Sequence, residues 1–127
     1  MSATELQIHI AITDYLQRVA PRNSPTAPFI WHHSPNGEKR DKRTGAKLKA
    51  MGLLPGWPDF VLLQEGYAFF GEVKPANGNL SKSQKAFAQA LADQRLYVTS
   101  WFHIWRSVND CEKSLLHWNI IDKGILV

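Results

Sequence analysis

Cysteine is nearly absent from this sequence. A lone thiol, Cys111, cannot close a disulfide within the chain, so the core must hold the fold and the expected setting is reducing. No apolar run approaches the roughly 18 residues that a membrane span requires, and no basic stretch leads into a short apolar segment at the N-terminus. Both absences lead us to expect a cytoplasmic protein with no membrane partner. Repeats, low-complexity tracts and a dividing linker are also missing, which predicts one domain over residues 1–127. With 44% hydrophobic and 20% charged residues, the chain has the composition of a globular protein that can bury one modest core.

Positive charge is concentrated. The formal net charge is +4, yet Lys39, Arg40, Lys42, Arg43, Lys47 and Lys49 fall in one short segment against a single acid, Asp41. The rest of the chain is therefore close to neutral. A charge run alone is ordinarily a solvated helix face, but a patch of this density also suits a phosphate backbone.

The hydrophobic pattern predicts the element order α-β-α-β-β-α-β-α. Thr4 with Gln7 reads as a capping box for a helix carrying Ile8, Ile12, Tyr15, Leu16 and Val19, which Pro21 stops. Phe29 to His33 reads as a strand, and the basic segment as a helix to Met51, with Gly52 past its end. Two strands follow, Asp59–Leu63 and Tyr67–Lys74, joined by a Glu65-Gly66 turn. Ser81 caps a further helix. Leu96 to Trp101 reads as a strand, Ile104 to Leu116 as a helix, and the apolar tail from Trp118 to Val127 as strand-like. The expected fold class is α/β, a mixed central sheet flanked by helices in a single domain.

Charged residues at one strand end carry the functional argument. Glu72 and Lys74 are two apart and share a strand face, and the hairpin brings Asp59 to the same end. Buried charges so arranged are costly unless something pairs them. A hard cation on two carboxylates is one solution, and Mg²⁺ or Mn²⁺ there would activate water and offset charge in phosphodiester hydrolysis. A bare Asp…Glu-x-Lys also arises by chance as a solvated pair beside an unrelated turn acid.

The wider pattern is more specific. Gly52-Leu53-Leu54-Pro55-Gly56-Trp57-Pro58-Asp59, Gly71-Glu72-Val73-Lys74 and Leu80-Ser81-Lys82-Ser83-Gln84 together resemble a stand-alone VRR-NUC domain of the PD-(D/E)xK nuclease superfamily. Pro35-Asn36-Gly37, Arg40 and Glu5-Leu6-Gln7 also sit where that family has matching elements. The resemblance spans residues 4–105 and implies a restriction-endonuclease-like fold. It further implies Asp59 and Glu72 as metal ligands with the Val73 carbonyl, Lys74 as the catalytic lysine, Gln84 as an active-site glutamine, and Glu5 as a helical glutamate completing the metal site. One departure is Gln94-Arg95, where many members have glycine.

Other residues carry weaker signals. Asn36, Lys39, Arg40, Lys42, Arg43 and Lys47 are candidates for nucleic-acid contact. Trp57, in the turn before Asp59, could stack on a base, although tryptophans are ordinarily core residues. His32 and His33 alternate across a strand, so only one of them can line a given pocket. Cys111 reads as a buried apolar side chain.

The sequence thus supports a metal-dependent DNA endonuclease, and the resemblance to stand-alone relatives, some of which act on four-way junctions, implies structure-specific cleavage with four-way junctions as the favoured substrate. It would need Mg²⁺ or Mn²⁺ and no small-molecule cofactor, and would act as a homodimer whose interface takes up part of the apolar tail. The alternative is a non-catalytic nucleic-acid-binding module that keeps the fold. A basic regulator using residues 39–49 in the major groove lacks helix-turn-helix spacing.

Overall fold

The computed structural model describes residues 2–34, 42–94 and 101–122. The element order matches the sequence expectation: α1 (Glu5–Val19), β1 (Ile30–His33), α2 (Lys42–Ala50), β2 (Phe60–Gln64), β3 (Tyr67–Val73), α3 (Lys82–Asp93), β4 (Phe102–Trp105) and α4 (Val108–His117). The strands form one mixed sheet in the order β1-β2-β3-β4, antiparallel at the first two pairings and parallel at β3-β4. A parallel neighbour cannot be reached by a tight turn, and α3 provides the crossover between β3 and β4. Among the described residues no helix is long and apolar enough to cross a membrane.

Capping chemistry fixes where the helices begin. In α1 the Thr4 hydroxyl accepts from the Gln7 N–H at 3.1 Å and the Gln7 side chain accepts from the Thr4 N–H at 2.9 Å. Ile8, Ile12, Tyr15 and Leu16 then line one face of the helix and are buried. The end of α2 closes with Gly52 at φ +103°. There the Leu53 N–H reaches the Leu48 carbonyl and the Gly52 N–H reaches that of Lys49, both at 3.0 Å, which satisfies carbonyls the helix leaves open. The β2-β3 hairpin turns through Glu65 and Gly66, both at positive φ, as a two-residue loop requires.

Alternation along the strands sends Trp31, Phe60, Leu62, Phe69, Val73 and Trp105 into a core shared with α1 and α4. Gly71 lies in that layer because the Trp105 ring fills its place; a Cβ there would stand 2.3 Å from the ring. Cys111 is fully buried, as expected.

Two boundaries differ from the sequence reading. The last strand among the described residues is Phe102–Trp105; of the expected strand Leu96–Trp101, Leu96 to Ser100 lie outside the described residues. Ile104 and Trp105 therefore belong to β4, and α4 starts only after Ser107, whose hydroxyl accepts from the Asp110 N–H at 3.1 Å. The beginning of the tail is not strand-like either. Asn119 takes φ +60° and the Ile120 N–H returns to the Leu115 carbonyl at 2.9 Å, which folds Trp118, Ile120 and Ile121 onto the core. Lys123 to Val127 lie outside the described residues.

Candidate functional site

The hairpin register places Phe60 opposite Gly71, and one step further Asp59 stands opposite Glu72. The two acids are joined through the backbone as well. The Asp59 N–H donates to Glu72 Oε2 at 3.3 Å, and the Val73 N–H donates to Asp59 Oδ2 at 2.8 Å. Glu72 is only 2% exposed. Burial holds its carboxyl well above the usual carboxylate range, Asp59 raises it further, and Lys74 pulls it back. Lys74 is half-buried at the end of the same strand run, its N–H donating to the Trp105 carbonyl at 3.1 Å.

Helix α3 supplies the other wall. Ser81 and Gln84 form a second capping box, in which Gln84 Oε1 accepts from the Ser81 N–H at 2.7 Å. The amide nitrogen of that side chain donates to Glu72 Oε1 at 2.7 Å. Gln84 thus ties the helix start to the buried carboxylate, and its two amide ends are assigned by their partners. Gly56, Trp57, Asp59, Glu72, Ser83 and Gln84 line a cleft of about 180 Å³. Trp57 packs edge-on against Phe87 (5.1 Å) and Phe70 (5.7 Å) while lining this cleft, so it is partly a packing residue.

A third group of donors adjoins the carboxylates. His9, His33 and Asp59 each offer a ligand atom, all within 4.8 Å of one another. Of the two adjacent histidines, His33 turns toward Asp59, whose carbonyl lies 3.0 Å from His33 Nδ1, while His32 is exposed. Glu5 sits exposed in the first turn of α1, one helical turn before His9. On this helix it is His9, not Glu5, that joins Asp59 in the group of potential ligands found among the described residues. Sequence reading passed over His9. The available signal was its i+4 spacing from Glu5, which puts both on one helix face.

Arg106 was also missed. Its Nη1 donates to the carbonyls of Pro75 (2.6 Å), Gly78 (2.8 Å) and Ala76 (3.4 Å), pinning the loop that follows Lys74. No local pattern marks an arginine that reaches back to a distant loop. Hydrogen bonds to a charged group contribute about 1.5–3 kcal/mol. Arg106→Ala is therefore expected to lower stability by about that amount in urea titrations. It should also speed amide exchange in residues 75–80 more than in β2; uniform exchange would show that the loop is held by other means.

Lys42, Arg43 and Lys47 are exposed on α2, which buries none of its residues. Asn36, Lys39 and Arg40 lie outside the described residues.

Comparison with family models and with curated proteins returns no match. Among solved structures the chain is similar to a VRR_NUC domain protein, with a TM-score of 0.70 and 20% sequence identity over 96% of this chain and 93% of that one. The chain shares the fold of that VRR_NUC domain protein, as the motif resemblance implies.

Proposed function

We propose that this chain, as one domain over residues 1–127, is a metal-dependent DNA endonuclease that hydrolyses phosphodiester bonds. The observation that carries this reading is the buried Glu72 facing Asp59 at the end of the hairpin, held by Gln84 and bordered by Lys74. Two carboxylates this close, one of them out of water, need a proton or a cation between them. Asp59, Glu72 and the Val73 carbonyl are the hard oxygen donors that Mg²⁺ or Mn²⁺ prefers, so the donor set fits such an ion. Glu5, exposed on α1 and outside the group formed by His9, His33 and Asp59, is the proposed further ligand that would complete the set once an ion is bound. When bound, the ion would supply an activated water and offset charge on the phosphate. The chain's own part is to hold the carboxylates in register, to orient the attacking water through Lys74, and to fix Glu72 through Gln84. A pure binding module needs basic residues but no buried carboxylate set against a second one.

Asn36, Lys39, Arg40, Lys42, Arg43 and Lys47 are the proposed DNA contacts, with Trp57 at the cleft. Replacing Lys42, Arg43 and Lys47 with alanine should weaken all duplex sequences alike. Every side chain that neutralises a phosphate should, once removed, reduce the log–log salt slope by about 0.9. An unchanged slope would return α2 to a merely solvated face.

We also propose a homodimer acting on four-way junctions. The apolar tail supports it less than expected, because Trp118, Ile120 and Ile121 are already buried within the chain. Support comes instead from Leu6 and Ile10, 68% and 52% exposed on one side of α1. Two sites about a two-fold axis suit a junction whose scissile strands are related in the same way. Light scattering behind size exclusion should give twice the monomer mass at micromolar concentration; a monomer mass would refute the dimer. The activity is tested by cleavage of duplex, flap, nicked and four-way DNA with and without Mg²⁺ or Mn²⁺. Metal-dependent cutting, fastest on the junction, is expected. Binding without cleavage under every condition would make the chain a non-catalytic module.

A further inference from the structure

We infer that His9, His33 and Asp59 form a second cation site, selective for a borderline transition-metal ion such as Zn²⁺ over Mg²⁺. The three donor atoms lie within 4.8 Å of one another, drawn from α1, the end of β1 and the residue before β2. All three residues are half-buried, so the site is partly shielded yet open to an entering ion.

The hydrogen bonding suits a ligand role. A carbonyl oxygen only accepts, so the 3.0 Å contact between His33 Nδ1 and the Asp59 carbonyl places the imidazole proton on Nδ1. Nε2 is then left with its lone pair, the tautomer a metal requires. Metal-binding histidines usually donate their other N–H to such a backbone carbonyl. Here the carbonyl belongs to the third candidate ligand, which couples the geometry of two donors. Asp59 Oδ2 is in turn oriented by the Val73 N–H at 2.8 Å. The His9 ring is fixed from both sides, stacked on Phe60 at 4.6 Å and edge-on to His33 at 4.2 Å.

Chemistry separates this site from the Asp59–Glu72 pair. Two imidazoles and one carboxylate suit Zn²⁺ or Co²⁺, whereas Mg²⁺ prefers oxygen and keeps its waters. Three protein ligands also leave a coordination position open. Asp59 would face both sites, its carboxylate shared between an oxygen-rich side and an imidazole side. The inference uses a residue of the proposed cleavage centre but does not require that centre to be active.

Zn²⁺ and Co²⁺ binding to the full chain is the test, read by calorimetry and by Co²⁺ visible absorption. His9→Phe keeps a ring on Phe60 and removes the donor, His33→Asn removes the second imidazole, and Glu72→Gln leaves the set intact. Zn²⁺ should bind at least about tenfold more tightly than Mg²⁺. Each histidine variant should weaken Zn²⁺ by more than the roughly 10- to 100-fold that removing a hydrogen-bond partner of a ligand costs. Glu72→Gln should bind Zn²⁺ within a few-fold of wild type. X-ray absorption at the zinc edge of the unmutated protein should show two imidazoles, a readout independent of whether any variant folds. A shell of oxygens alone, or unchanged affinity in both histidine variants, overturns the site while leaving the cleavage reading untouched. Zn²⁺ held by two imidazoles in a protein that cuts no DNA would do the reverse.

Discussion

Asp59→Asn and Glu72→Gln are each expected to reduce DNA cleavage by at least about 10²–10³-fold, the cost of removing one electrostatic contact aimed at a transition state. DNA affinity should hold or rise, because each change removes a negative charge near phosphate. Both variants should stay folded. Asn at 59 retains an oxygen to accept from the Val73 N–H, and Gln at 72 retains one for the Gln84 amide. Without metal, Glu72→Gln should melt at or above the wild-type temperature, since a carboxyl that is 2% exposed and set against Asp59 is replaced by a neutral group. The variants should differ from wild type when metal is added. An ion that binds only the folded state at 100 times its dissociation constant stabilises it by about 2.7 kcal/mol. Wild type should show that gain with Mg²⁺ or Mn²⁺, and both carboxylate variants should lose it. Lys74→Ala should keep the gain and still lose cleavage. Mn²⁺ binding by Asp59→Asn indistinguishable from wild type would remove Asp59 from the metal site.

Much of this arrangement is legible from local chemistry. Thr4-x-x-Gln7 and Ser81-x-x-Gln84 are capping boxes in the sequence and in the structure, so two helix starts follow directly. Glu65-Gly66 between two apolar runs fixes the hairpin, and its register carries Asp59 to Glu72. Where the structure departs from the hydrophobic pattern, a competing local signal decides. Ile104 and Trp105 continue an apolar stretch and look helical, yet Ser107-x-x-Asp110 is the cap that starts α4. Trp118 and Ile120 alternate like a strand, but Asn119 between them is the residue type that tolerates the left-handed turn ending a helix. His9 and Arg106 are different. Their importance lies in contacts across the fold, with Asp59 and with the Pro75–Gly78 carbonyls; the i+4 spacing from Glu5 puts His9 on the right helix face but does not name its partners, and no local pattern marks Arg106.

Gly56→Ala is expected to be far more damaging than Gly66→Ala, and the surroundings of the two glycines explain why. Both glycines have nearly the same backbone, φ +84° at Gly56 and φ +85° at Gly66. An alanine at either position incurs the left-handed penalty of about 1–2 kcal/mol. Their surroundings differ. A Cβ on Gly66 meets nothing within 4 Å, whereas one on Gly56 would lie 2.2 Å from the Ser83 carbonyl oxygen and 2.9 Å from the Gln84 nitrogen. Those are backbone atoms in the first turn of α3, so no rotamer change relieves the clash. The turn before Asp59 and the start of α3 would have to separate. Overpacking of this kind adds about 1–3 kcal/mol, giving a total of about 2–5 kcal/mol for Gly56→Ala against about 1–2 kcal/mol for Gly66→Ala. The displacement also acts on chemistry, because the same turn of α3 holds Gln84 against Glu72 at 2.7 Å. Gly56→Ala should therefore lose cleavage even at temperatures where it remains folded, while Gly66→Ala should retain nearly all of it. Urea titration and cleavage assays on the pair check both parts. Equal destabilisation by the two substitutions would mean that α3 yields readily, and that the close approach at Gly56 does not set the position of Gln84.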